Sequence, residues 1–184
     1  MSREAFANAY SAEVIESMPS GALPVKFELS GARRAHPLLV TITPLDDPSW
    51  IGAFARGYDE KSSETGLWLT PDDARIAVVA AGAGYYVDVR DPAEWEEVPI
   101  FPIRFVRSLV EEELLVFGDF SRLAAYGRKG LKWQTADLVW DDLAIVSTDE
   151  SSIIASGYDA EHDRQAEVRI DLFSGKVSGA IGPR

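Results

Sequence analysis

Short apolar runs separated by glycine, proline and acidic turns fill most of this chain, and three of the strongest are evenly spaced. They start at Ile76, Leu114 and Ile153, which lie 38 (114 − 76) and 39 (153 − 114) residues apart. Each is the second of four strand-like runs. The first unit holds Leu67–Leu69, Ile76–Ala80, Tyr85–Val89 and Trp95–Val98, parted by Pro71-Asp72-Asp73, Gly82-Ala83-Gly84 and Arg90-Asp91-Pro92. The second holds Ile103–Arg107, Leu114–Phe117, Arg122–Tyr126 and Leu131–Thr135, and the third Leu143–Ser147, Ile153–Ser156, Ala166–Leu172 and Lys176–Gly179. Runs of this length, bounded by turn residues and with no helical period between them, predict antiparallel sheets. A period near 40 residues with four strands per unit is that of a propeller-type blade.

Upstream, Val25–Leu29 alternates apolar and polar residues, and Leu38–Ile42 and Trp50–Tyr58 also read as strands. These are candidates for a degenerate fourth unit. Residues 2–18 suggest something else. Phe6, Tyr10, Val14 and Met18 recur every four positions, which predicts a short N-terminal helix capped by Ser2 and ended by Pro19 and Gly21. The expected fold class is all-β: repeated antiparallel four-stranded meanders, blade-like or packed as two sheets, with that short helix. The expected organisation is a single domain, with a helical arm over 1–22 and a β domain over 23–184.

In the second unit Ala124 and Gly130 are followed by Trp133, and Tyr126 lies between them. In the third, Asp171 precedes Ser174 and Gly175. With these residues, the stretch 103–180 resembles the blade repeats of quinoprotein-like β-propellers. That motif has an alanine, an aspartate two residues later, a threonine–glycine pair and then a tryptophan. Ala124 and Gly130 keep its separation, Trp133 comes one residue early, and Tyr126 occupies the place of the aspartate. The third unit keeps the turn without a tryptophan. The resemblance implies blade geometry; it does not extend to a quinone cofactor or redox activity, and no cofactor is expected. Propellers close with four or more blades. Either the upstream strands therefore make a fourth unit, or an edge strand stays open for a partner or for a homodimer.

Charge narrows the choice of partner. Thirty acidic residues against 18 basic give a net charge of −12, a field that repels phosphate backbones, so no nucleic-acid partner is expected. A cationic protein suits it. The absence of cysteine excludes disulfides, thiolate metal sites and a cysteine nucleophile, and fits a cytoplasmic setting. The first 18 residues carry Glu4, Glu13 and Glu16 without the apolar core of a signal peptide, and no apolar run approaches the roughly 20 residues of a spanning helix, so no membrane partner is expected.

Little of the familiar chemistry of active sites is complete. Gly82-Ala83-Gly84 lacks a third glycine and leads into a strand, not a phosphate-binding helix. The two histidines, His36 and His162, read as loop residues. Asp159, Glu161 and Asp163 alternate as calcium ligands would, but Arg164 and Ile170 stand where an EF-hand needs glycine and glutamate. No Gly-x-Ser-x-Gly elbow occurs. The pairs Asp46-Asp47, Asp72-Asp73 and Asp141-Asp142 sit in turns, where carboxylates cap backbone amides. No catalytic, cofactor-binding or metal-ligating residue is therefore assigned.

Two features point to contact with a partner. The phrase Ala-x-Gly-Tyr-Asp occurs at 55–59 and again at 155–159, offering Tyr58, Asp59, Tyr158 and Asp159 at strand ends. Of five tryptophans, Trp140 is followed directly by Asp141 and Asp142 and is the best candidate for exposure. The expected function is a non-catalytic protein-binding module, of the kind that neutralises a basic toxin or enzyme as an immunity protein or inhibitor. The alternative is an enzyme acting on a small molecule or carbohydrate through carboxylates at one end of the sheets.

Overall fold

Alternate residues of each strand face opposite ways, and in this chain that alternation sorts the side chains into layers between four sheets. The computed structural model describes residues 5–29, 33–57, 61–179 and 182–183. The first sheet contains β1 (Tyr10–Ile15), β2 (Val25–Phe27), β3 (Arg33–Pro44) and β4 (Trp50–Arg56), in the order β1-β3-β4-β2. The second runs β5 (Gly66–Leu69), β6 (Arg75–Ala80), β7 (Ala83–Asp88) and β8 (Trp95–Glu97). The third runs β9 (Phe105–Leu109), β10 (Leu114–Gly118), β11 (Leu123–Gly127) and β12 (Gly130–Gln134). The fourth runs β13 (Asp141–Thr148), β14 (Ser152–Asp159), β15 (Arg164–Asp171) and β16 (Val177–Ser178). The last three are antiparallel meanders in sequence order, so the three repeats read from spacing are three sheets.

The upstream strands do form a fourth sheet, with one departure from a meander. Its outermost position is held by β2, which pairs in parallel with β4 through Val25↔Gly52 to Phe27↔Phe54. This strand comes from the connection between β1 and β3, so β4 leads straight on to the second sheet.

The expected N-terminal helix is absent; Met1 to Glu4 lie outside the described residues, and Tyr10 to Ile15 are the edge strand β1, paired with β3 from Tyr10↔Pro44 to Ile15↔Leu39. A spacing of four is a multiple of two as well as close to a helical turn, so Phe6, Tyr10 and Val14 suit a strand equally. Tyr10 and Ala12 pack inward, while Val14 is 51% exposed, and sheet pairing overrides the helix propensity of the alanines and glutamates. No helix occurs among the described residues, and none is long and apolar enough to cross a membrane.

Three hydrophobic layers join the sheets in series. Val40, Ile42 and Phe54 of the first sheet meet Ile76, Val78 and Tyr85 of the second. On the other face of β6 and β7, Ala77, Val79 and Tyr86 meet Leu115, Phe117 and Tyr126 of the third. Leu114 and Val116 then face Ile153, Ala155 and Ile170 of the fourth. Among the described residues no such layer joins the fourth sheet to the first, so the sheets form an open row. Phe6 is buried in the middle layer, carrying the N-terminal segment across the second sheet.

Two indoles latch neighbouring sheets. Trp50 Nε1 donates to the Val89 carbonyl at 2.8 Å, and Trp133 Nε1 to the Leu172 carbonyl at 2.9 Å. Donor and acceptor are 39 residues apart in both cases (89 − 50; 172 − 133). Trp133 lies against Gly175, whose φ is +67°; a Cβ there would come within 2.8 Å of the indole. The Ser174-Gly175 turn and Trp133, singled out by the blade resemblance, are thus one contact between the third and fourth sheets.

Candidate functional site

The turns that join the second and third strands of the last three sheets lie along one end of the row, with the links between sheets beside them. A chain of backbone hydrogen bonds holds this end together. Gly57 N donates to Ala80 O, Ile103 N to Gly82 O, and Arg104 N to Gly118 O. Leu143 N donates to Phe120 O, and Trp140 N to Tyr158 O at 3.0 Å. In the second sheet the turn is the pair Ala81–Gly82, both at positive φ (47° and 82°), a two-residue hairpin connection that glycine makes possible.

In the third and fourth sheets an aspartate organises the turn. Asp119 Oδ1 accepts from the amides of Ser121 (2.8 Å) and Arg122 (2.7 Å), and its Oδ2 takes both Nε and Nη2 of Arg122. Forty residues on (159 − 119), Asp159 Oδ1 accepts from the Glu161 amide at 3.1 Å, and its Oδ2 lies 2.8 Å from His162 Nδ1. Both carboxylates are buried, 3% and 2% exposed. Burial pushes the Asp159 carboxyl up, but the His162 ring and the amides of Glu161 and His162 hold it below the usual carboxylate range. Asp159 is therefore engaged within its own turn.

Tyr158 is half-buried and donates its hydroxyl to Asp163 Oδ1 at 2.7 Å. That bond, with the carboxylate charge behind it, raises the phenol pKa. Trp140 is 41% exposed. The side chains of Asp141 and Asp142 beside it are also exposed, and Asp141 Oδ1 accepts the Asp142 amide at 2.7 Å. Of the sequence candidates, Trp140, Tyr158 and Asp159 are thus brought together where the fourth sheet begins. Tyr58 and Asp59, the other copy of the phrase, lie outside the described residues.

Sequence reasoning missed two aromatic residues at this end, Phe101 and Phe120, which are also exposed. The Arg104 guanidinium stacks over the Phe120 ring, 4.4 Å from its centroid. It also missed Asp119. The signal for it was present, because Asp119 and Asp159 fall one repeat apart and each has a cationic or ionisable partner three residues later.

His36 is on the first sheet and His162 on the fourth, at opposite ends of the row, so they do not converge. Among the described residues no group of three His, Cys, Asp or Glu side chains is placed to hold a metal ion. A cavity of about 520 Å³ opens on the outward face of the fourth sheet, lined by Val146, Ser147, Ile154, Glu167, Arg169 and Ser178 among others. It collects one carboxylate and one arginine, and neither tryptophan nor histidine. Comparison with family models, curated proteins and solved structures finds no match for the chain.

Proposed function

We propose that the protein is a non-catalytic binding module that receives a cationic segment of a protein partner at the turn end of its row of sheets. The observation that supports this is the exposed Trp140 indole with Asp141 and Asp142 directly beside it. An indole face attracts a guanidinium or ammonium group, and adjacent carboxylates strengthen that attraction. The surface already holds one such pairing within the chain, Arg104 on Phe120. Tyr158 adds a rigid neighbour. An acidic, cysteine-free module of this kind suits the neutralisation of a basic toxin or enzyme in the cytoplasm, as an immunity protein or inhibitor does.

The test is affinity capture from the source organism's lysate with the full chain as bait, beside Trp140→Ala and the double variant Asp141→Asn/Asp142→Asn. A basic protein held by the parent at low salt, released by high salt and weakened about tenfold or more by Trp140→Ala is the expected result. Capture that is indifferent to both variants and to salt would remove the reading.

A further inference from the structure

In an antiparallel meander the turns after the first and third strands lie at one end, and the turn after the second lies at the other. Asp72, between β5 and β6, and Lys129, between β11 and β12, therefore sit at the end of the row opposite the Trp140 surface. Between them opens a cavity of about 430 Å³, lined by Asp72, Arg75, Glu96, Lys129, Gly130 and Leu131. Register accounts for it. Tyr86 of β7 pairs with Glu96 of β8, and Tyr126 of β11 pairs with Leu131 of β12. Both tyrosines belong to the layer between the second and third sheets, with ring centroids 4.6 Å apart. Cross-strand partners share a face, so Glu96 and Leu131 continue those two faces as the walls of the cavity. Glu96 Oε1 reaches across to Gly130, where a Cβ would meet it at 3.5 Å. The Arg75 guanidinium lies over the Tyr86 ring, 5.6 Å from its centroid.

Two features of this cavity have no match within the chain. Glu96 and Lys129 are exposed, opposite in charge and on one cavity, yet among the described residues neither makes an ion pair or a hydrogen bond. The Tyr86 hydroxyl is buried without a hydrogen-bond partner. Burial pushes this phenol up to about 12. The Thr70 hydroxyl opposes that rise, but it lies outside hydrogen-bonding geometry and gives its own proton to the carbonyls of Asp72 and Arg75, at 2.6 and 3.0 Å. The phenol is thus a donor at neutral pH, and the charges that act on it, Asp72, Arg75 and Glu96, are those of the cavity. Leaving such a donor buried and unused is costly.

We propose that this cavity binds a free α-amino acid with an apolar side chain. Arg75, Lys129 and the Tyr86 hydroxyl supply donors to its carboxylate, and Glu96 receives its ammonium group. Asp72, 3.7 Å from Arg75 Nε, holds the guanidinium in place. Leu131, 44% exposed, covers the side chain. A purely anionic ligand would leave Glu96 opposed, and a purely cationic one would leave Arg75 and Lys129 opposed. The volume is within the range of small-molecule pockets. The site lies at the other end of the row from the proposed partner contact and stands without it.

A proton–nitrogen correlation NMR titration of the full chain with L-leucine, L-methionine and L-phenylalanine, each to about 20 mM, reads affinity and place together. At least one of them shifts the amides of Glu96, Lys129, Gly130 and Leu131, with dissociation between about 0.1 and about 5 mM. The analogues of that amino acid lacking the amino or the carboxyl group bind about tenfold or more weakly. Glu96→Gln and Lys129→Gln each weaken binding about fivefold or more, and as surface changes they keep the fold. Tyr86→Phe weakens binding while its midpoint of urea unfolding holds or rises, because the hydroxyl it removes has no partner. No amide response to any of the three amino acids overturns the proposal. Binding that these three variants leave unchanged overturns it too, as does equal binding of either truncated analogue.

Discussion

Gly175 carries two constraints at once, and either alone would select glycine. Its φ of +67° is strained for a residue with a Cβ, and the space a Cβ needs is filled by the Trp133 ring at 2.8 Å. Gly175→Ala is expected to destabilise the chain by about 2 kcal/mol or more, measured by urea unfolding, whereas glycine-to-alanine changes at unstrained, open sites are stabilising. The same turn has a pH signature. The Ser174 hydroxyl, with the amides of Ser174 and Phe173, holds the Asp171 carboxyl below the ordinary carboxylate range. A folded-state value lower than the unfolded one gives stability that is complete above about pH 4 and is lost as pH falls through the folded value. The melting temperature of Asp171→Asn should therefore fall less steeply than that of the parent between about pH 4 and pH 2.

At the scale of the strand, neighbouring residues report on different layers. Leu114 and Leu115 are consecutive, yet one faces the fourth sheet and the other the second. Truncating either to alanine is expected to cost about 2–5 kcal/mol. Ile153 and Ile154 are also consecutive, but only Ile153 enters a layer. Ile153→Ala should cost within that same range and Ile154→Ala about 1 kcal/mol or less, a contrast that equilibrium unfolding resolves. This difference is legible in the sequence. The middle sheets carry unbroken apolar runs, Ile76–Ala80 and Leu114–Phe117, because both their faces are covered. β3 and β14 instead mix in threonine, serine and tyrosine on the face that is open. The N-terminal segment was not legible, because a four-residue spacing satisfies both periods and only pairing with β3 decides between them. The parallel strand β2 was equally hidden: Val25–Phe27 reads as a strand, but nothing local says which neighbour it joins. At the turn end, the exposure of Trp140 could be read from the acids that follow it. The burial of Asp159 could not, since it depends on a turn that folds the carboxylate back on its own amides.

Across the whole molecule, what the repeat period left open was the relation between its units. Spacing identifies three sheets, and the upstream strands provide the fourth, yet four sheets in series still leave two outward faces. Charged residues on β15 solvate the outward face of the fourth sheet. The aromatic and acidic turn end lies across the row, apart from both faces.

The two indole latches also set an order in time. Each donor precedes its acceptor by 39 residues, so during synthesis a tryptophan reaches the ribosome exit one full unit before the carbonyl it will bind. Until then the sheet that carries it presents an uncovered hydrophobic face, and the newest unit is always the unfinished one. A chain interrupted between Trp133 and Leu172 would leave the third sheet in that state permanently, with Leu114, Val116 and Ala125 open to solvent. The fourth sheet thus acts as the cover of the third alone, and premature termination in this interval favours aggregation over a shorter working protein.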